Sequence, residues 1–390
     1  MIEPIQILEA LETHTNVLLY GPPGTGKSYL MKEVQNLFQH KYGGSESNQY
    51  VIDTTAERKS LTSQPAKGAL ARWVTFHQGY SYEDFIIGLR PASRTDGSTT
   101  GGLSLEPKEG ALLDLAARTG SGRGLLLIDE INRGNASRIF GEFITLMEAD
   151  KRLAPDGSIG KSTVTVTLPY IGTSQKIDLG DGVTISQQFN MPRNIYTLAS
   201  MNSVDKSVAP LDAAIRRRFH IINLRPTSED LARAAGVNGA KSEVAEVAVS
   251  LLISLNRAIG LHLGPEYMLG QYYLPTNTAL GSLDQQDAEK LLAEVWRHKL
   301  LPQVLELLHA RPTVCASVLR IPEVAGKSGV ELIEPSDGEA DSGASPFILN
   351  VASSTDDASI YKYLKTFKFD QQSSESATTE STLNVGSSSN

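Results

Sequence analysis

The chain has 390 residues with 36 Lys and Arg against 44 Asp and Glu, a formal net charge of −8. That balance excludes a surface coated for nonspecific nucleic-acid binding but leaves room for a local basic pore or face, and a single cysteine, Cys315, excludes an internal disulfide and any multi-cysteine zinc site. No apolar run approaches a membrane span, and Met1-Ile2-Glu3-Pro4 lacks the basic and apolar regions of a signal peptide, so a cytoplasmic protein with no membrane partner is expected.

In chain order, the first strong signal is Asn16-Val17-Leu18-Leu19-Tyr20, a buried strand, followed by Gly21-Pro22-Pro23-Gly24-Thr25-Gly26-Lys27-Ser28 and a helical pattern from Lys27 through Phe38. Strand, glycine-rich turn and helix in this order form a complete phosphate-binding loop. Its glycines let backbone N–H groups turn inward around phosphate oxygens, and the helix start adds the positive end of its dipole. The binding stretch comprises Gly21, Pro22, Pro23, Gly24, Thr25, Gly26, Lys27, Ser28 and Tyr29. Lys27 neutralises the β- and γ-phosphates, and the Ser28 hydroxyl takes one Mg²⁺ position.

Further strands are expected at 73–76, 124–128, 195–200 and 219–224, alternating with helices. Five such strands, counting 17–20, make a parallel sheet covered on both faces. Two segments interrupt the alternation. Residues 92–105 are rich in Gly, Ser and Thr and read as an exposed loop or short hairpin ahead of a helix near 109–118. The run 163–168 alternates at period two, and a second run near 176–179 is expected to pair with it as a hairpin inserted before the fourth strand. From Thr227 the pattern turns helical, with apolar faces at Val244, Ala248, Leu251, Leu255 and at Ala288, Leu292, Val295, Leu300. Beyond Ala325 lies an acidic stretch containing Glu331, Glu334, Asp337, Glu339 and Asp341, then an aromatic segment, 360–369, that reads equally as a small ordered element or a docking segment. The last twenty residues hold seven serines and read as disordered from about Asp370. The expected division is a nucleotide-binding α/β core over 1–226, a small helical domain over 227–324, an acidic linker with a C-terminal element over 325–369, and a tail over 370–390.

The chemistry concentrates at strand ends. Gly124-Leu125-Leu126-Leu127-Ile128 runs into Asp129-Glu130, the second half of a nucleoside-triphosphatase site. Asp129 holds Mg²⁺ through water, and Glu130 polarises the water that attacks the γ-phosphate, because phosphoryl transfer needs positioning and charge control more than covalent help. The strand from Ile195 ends at Asn202, an amide that orients the attacking water or senses the γ-phosphate. Arg216-Arg217-Arg218 closes a helix begun near Pro210; three adjacent guanidinium groups cannot share one helix face, so at least one is expected to point away from its own subunit. An arginine delivered to a neighbour's γ-phosphate contributes on the order of 10³ to 10⁵ in rate.

This order of motifs resembles an AAA+ ATPase: a P-loop core with a five-stranded parallel sheet and inserted hairpins, followed by a helical lid. Phe76-His77-Gln78-Gly79-Tyr80-Ser81-Tyr82-Glu83-Asp84-Phe85, Ile128-Asp129-Glu130-Ile131-Asn132-Arg133-Gly134-Asn135 and Met201-Asn202-Ser203-Val204-Asp205-Lys206 are similar to the McrB branch, the motor subunits of modification-dependent restriction systems. The resemblance spans about residues 10–310. It maps the family's signature Asn onto Asn202 and its Asp onto Asp205, while the family's signature Arg is Lys206 here, which keeps the charge but loses the planar fork. It places the paired trans-acting arginines on Arg217 and Arg218, and Gln271 in the region of the family's lid motif. By the same resemblance the chain hydrolyses ATP or GTP with Mg²⁺, assembles as a hexameric ring, and works with a McrC-like nuclease subunit on DNA. Restriction motors of this kind usually carry a DNA-reading domain ahead of the core; with the core starting near Met1, target reading is expected on another subunit, on the tail, or nowhere. The alternative resemblance is to MoxR-like chaperone ATPases, which share the inserted loop and hairpin.

Overall fold

The computed structural model describes residues 2–43, 51–52, 68–91, 105–180, 182–204, 211–237, 242–275, 280–320, 330–333, 348–351 and 356–367. Asp205, Lys206, most of the Gly/Ser/Thr-rich loop, most of the acidic stretch and the serine-rich tail lie outside them. The chain divides into two compact units, one of Ile2–Pro22 with Gly26–Leu224, the other of Arg225 onward together with Pro23–Thr25.

The first unit is built on parallel strands β1 (Asn16–Gly21), β2 (Val51–Ile52), β3 (Ala69–Thr75), β4 (Arg123–Asp129), β5 (Ile195–Asn202) and β6 (His220–Asn223), in the order β6-β1-β5-β4-β3-β2. Five of these are the expected strands, and the two-residue edge strand β2 is an addition. Alternate residues of the central strands serve opposite faces. Val17, Leu19, Leu125 and Leu127 pack with Ile7, Leu8 and Leu11 of α1 (Pro4–His14) and Leu30, Met31 and Phe38 of α2 (Lys27–Tyr42). Leu18, Leu126 and Ile128 join Leu112 and Leu115 of α3 (Ala111–Thr119) and an aromatic group, Phe76, Phe85 and Phe140. Burial on both faces explains why β1 and β4 read as unbroken apolar runs.

The insertions are hairpins, with one pairing corrected. Ile87–Pro91 pairs with Leu105–Glu109. Val166–Thr167 pairs with Gln188–Phe189, whereas Lys176–Asp178 pairs with Thr184–Ser186. The run at 163–168 therefore does not meet 176–179. Gly180 (φ 81°) and Gly182 (φ 77°) supply the left-handed turn that folds 176–186 on itself, leaving the longer loop to close outside it.

The second unit is helical: α5 (Ser228–Ala235), α6 (Glu243–His262), α7 (Gln285–Val295), α8 (Leu301–Leu308), α9 (Pro312–Val318) and α10 (Asp357–Leu364), which together resemble a lid. A π-helical turn, Trp296–Leu300, joins α7 to α8. Helix α6 is, by length and composition, long and apolar enough to cross a membrane, contrary to the expectation that no run approaches that size. Glu246, Asn256 and Arg257 interrupt its apolar run but leave the helix apolar on average, while Val244, Ala248, Leu251, Leu252, Leu255 and Ile259 are buried in the helical core. The aromatic segment is an ordered element. Tyr363 stands edge-on to Trp296 and Phe367, and its hydroxyl donates to Leu319 O at 2.7 Å. Cys315 is a buried packing residue whose thiol burial pushes up to about 12.

Candidate nucleotide site

Parallel strands place their carboxyl ends on one edge of the sheet, where open α/β folds bind ligands. The ends of β1, β5 and β4 bring Gly21, Asn202 and Asp129 there, with Gly21 paired directly to Asn202. Gly21 is required by contact, since a Cβ on it would stand 2.4 Å from Leu224 O. Gly26 takes the left-handed conformation (φ 84°) as N-cap of α2, which a side chain would oppose.

Lys27 is buried at 8 % exposure, and its ammonium donates to Gly21 O and Pro22 O at 2.9 Å each and to Asn202 Oδ1 at 3.4 Å. The lysine and the amide both expected at the phosphates thus meet although 175 positions separate them. Ser28 Oγ donates to Asp129 Oδ2 at 3.2 Å, across 101 positions. A hydroxyl facing a carboxylate is a hard-oxygen pair, the donor set Mg²⁺ takes when it keeps most of its waters and phosphate oxygens as ligands. These residues fit that ion, and no cluster of three or more His, Cys, Asp or Glu competes for it among the described residues.

Ser200, buried on β5, was not singled out in the sequence. Its hydroxyl donates to Asp129 Oδ1 and accepts from Glu130 N at 3.0 Å, so one side chain orients both members of the acidic pair. The signal available was a hydroxyl inside an otherwise apolar strand. Glu130 has left-handed backbone (φ 54°), uncommon for a residue with a side chain. That turn redirects the carboxylate after the strand, and Arg133 Nε lies 3.4 Å from Glu130 Oε2.

The arginine run divides. Arg216 and Arg217 are exposed at the end of α4 (Ala213–Arg216). Arg218 turns inward instead: its side chain is 8 % exposed, with Nη2 at 2.7 Å from Glu148 Oε1 and Nη1 donating to Ala214 O. Asn16 Nδ2, at the start of β1, donates to Arg218 O at 3.2 Å and to Met147 O at 2.8 Å. Beside it the fully buried Arg152 donates to Leu146 O, Met147 O and Ile195 O, and desolvation pushes its guanidinium down to about 10. Tyr80 stacks on Phe76, and Tyr82 donates to Glu142 at 2.8 Å, so both tyrosines have packing or hydrogen-bond roles inside the unit.

The family profile of the AAA domain, dynein-related subfamily, matches residues 16–219. The chain belongs to that family. It is an AAA+ nucleoside-triphosphatase domain related to McrB and to a restriction-enzyme component. It is 31% identical over 223 residues to the type IV methyl-directed restriction enzyme EcoKMcrB subunit of Escherichia coli (strain K12), covering 56% of this chain and 37% of that protein. It is 28% identical over 225 residues to the type II restriction enzyme BsuMI component YdiS of Bacillus subtilis (strain 168), covering 52% and 55% respectively. The matched regions thus take in 37% and 55% of those two relatives' lengths.

Proposed function

We propose that this chain is the nucleotide-hydrolysing motor subunit of a cytoplasmic restriction-type system, turning over ATP or GTP in a ring of six copies that drives a partner nuclease of the McrC kind on DNA. The supporting observation is the meeting of Lys27 with Asn202 and of Ser28 with Asp129 at one sheet edge, with Glu130 following Asp129 in a left-handed backbone turn. Similarity to two restriction-enzyme components supplies the biological setting.

In this reading the loop N–H groups and Lys27 hold the β- and γ-phosphates of the substrate. Ser28 and Asp129 would hold Mg²⁺, which would supply charge neutralisation on those phosphates. Asn202 orients the attacking water, and Glu130 accepts its proton. Arg217, exposed at the end of α4, reaches the neighbouring copy's substrate, while Arg218 braces the segment from inside. Asp205 completes the signature by family resemblance.

Steady-state hydrolysis of ATP and of GTP, each with and without DNA, tests this. Glu130→Gln should abolish turnover and preserve nucleotide binding. Unchanged hydrolysis in that variant would remove Glu130 from its role, and stimulation by a folded protein client with none by DNA would favour chaperone-like remodelling.

A further inference from the structure

The second unit counts Pro23–Thr25 among its residues, and the contacts that place them there are specific. Pro23 O accepts from Gly270 N at 3.1 Å, Gly24 O from Tyr272 N at 2.9 Å, and Thr25 O from Gln271 Nε2 at 3.0 Å. Three consecutive carbonyls of the phosphate loop are thus held by three consecutive residues, 270–272. The approach is backbone to backbone. Gly270 has ordinary extended dihedrals (φ −77°, ψ 170°), yet a Cβ on it would stand 2.0 Å from Gly24 C and 2.4 Å from Thr25 N. A Cβ on Gly24 would in turn meet the Tyr273 ring at 2.8 Å.

The segment that grips the loop is itself anchored. Buried Asn256 of α6 donates to Leu269 O at 2.9 Å and accepts from Leu269 N at 2.6 Å, and Tyr273 Oη donates to Gln303 of α8 at 2.9 Å. Gln271 is 6 % exposed, and its Oε1 has no hydrogen-bond partner, so its donation to Thr25 O is the polar contact that orients the amide.

In a trans peptide the C=O and the following N–H point in opposite directions. The carbonyls of Pro23, Gly24 and Thr25 share their planes with the N–H groups of Gly24, Thr25 and Gly26. Holding the carbonyls on one side therefore aims those N–H groups to the other, as a phosphate cradle requires. Residues 269–273 contain no Lys or Arg, so the segment offers no cation of its own to a phosphate.

We propose that residues 270–272 are a template that presets the phosphate loop, and that Gln271 is a positioning residue acting on nucleotide affinity through Thr25. This rests on the nucleotide-binding reading of the loop. Loss of any of the three hydrogen bonds to Pro23, Gly24 and Thr25 then loosens the cradle and weakens triphosphate binding.

The test is equilibrium binding of fluorescent ATP and GTP analogues to the full chain in a Glu130→Gln background, followed by kinetics with Glu130 restored. Gln271→Met keeps length and packing but removes the donor, and Gln271→Glu sets a carboxylate oxygen against Thr25 O. We expect Kd to rise about five- to tenfold for Met and further for Glu. In the hydrolysing chain KM should rise while kcat stays within about twofold, a split that general destabilisation would not produce. Gly270→Ala, compatible with its own dihedrals, should weaken binding by at least about a hundredfold. Unchanged Kd in either folded Gln271 variant overturns the proposal, as does a loss confined to kcat. Failure of the unsubstituted chain to bind either analogue would instead overturn the phosphate-loop reading itself.

Discussion

Adjacent arginines with opposite surroundings make a sharp experiment. Arg218→Ala removes the ion pair to Glu148 and the bond to Ala214 O, both made by a side chain only 8 % exposed. Each charge-assisted hydrogen bond contributes about 1.5–3 kcal/mol, but the buried guanidinium also carries desolvation and an Nε with no hydrogen-bond partner, which offset part of that. The net loss should be about 2 kcal/mol, a fall of about 4–8 °C in melting temperature. Arg217→Ala removes an exposed side chain and should leave melting within about 1 °C, while turnover falls by on the order of 10³. Mixing decides whether that loss acts in trans. Arg217→Ala chains keep an intact site, Glu130→Gln chains keep an intact arginine, and co-assembly should recover hydrolysis that neither shows alone. Calorimetry, turnover and the mixing curve together would refute the division if Arg217→Ala lowered melting as much as Arg218→Ala, or if mixing recovered nothing.

Three further outcomes follow from the geometry. Arg152→Met leaves buried carbonyls at Leu146 and Ile195 without this donor, and no carboxylate is left behind to benefit; urea unfolding should show a loss of about 2–4 kcal/mol. Arg133→Ala removes the 3.4 Å ion pair to Glu130, a half-exposed pair worth under about 1 kcal/mol, so melting should hold while basal turnover rises a fewfold; a fall in turnover would mean that Arg133 assists the reaction. The Cys315 thiol, raised from 9.0 to about 12, stays protonated in the folded chain where the unfolded chain ionises. Its contribution is therefore complete below about pH 9 and is lost as pH rises towards 12, and thiol labelling at pH 8 should require unfolding, with immediate labelling of the native chain counting against burial.

The residues of the candidate nucleotide site could be picked out because they carry local signals: a glycine-rich turn between strand and helix, and polar residues at the ends of apolar strands. Gly21, Lys27, Ser28, Asp129 and Asn202 are brought together by the register of parallel strands, which their places at strand ends anticipate. What escaped reading depends on distant partners. Arg217 and Arg218 are indistinguishable as letters, and only Glu148, seventy positions earlier, makes one of them internal. Ser200 looks like an ordinary small residue until Asp129 and Glu130 arrive on the neighbouring strand. The pairing expected for 163–168 differs from the structure because period-two alternation specifies a strand and not its partner, and the turn supplied by Gly180 and Gly182 gives 176–178 a nearer one. Gln271 carries no charge to advertise a role, since its contact is with backbone oxygen.

Helix α10 follows Arg320 only after the stretch 321–355, yet Tyr363, Leu364 and Phe367 lie inside the same core as Trp296. Arg297 to Asp357 and Arg320 to Thr366 O fasten it at both ends. The edge-on contacts of Tyr363 with Trp296 and with Phe367, each worth about 0.5–1.5 kcal/mol beyond the area it buries, thus seat a helix that stands far from its partners in sequence. Without Tyr363, Leu364 and Phe367 the indole of Trp296 would lose the aromatic wall it packs on, so this late helix belongs to the keystone of the helical unit and is no appendage to it.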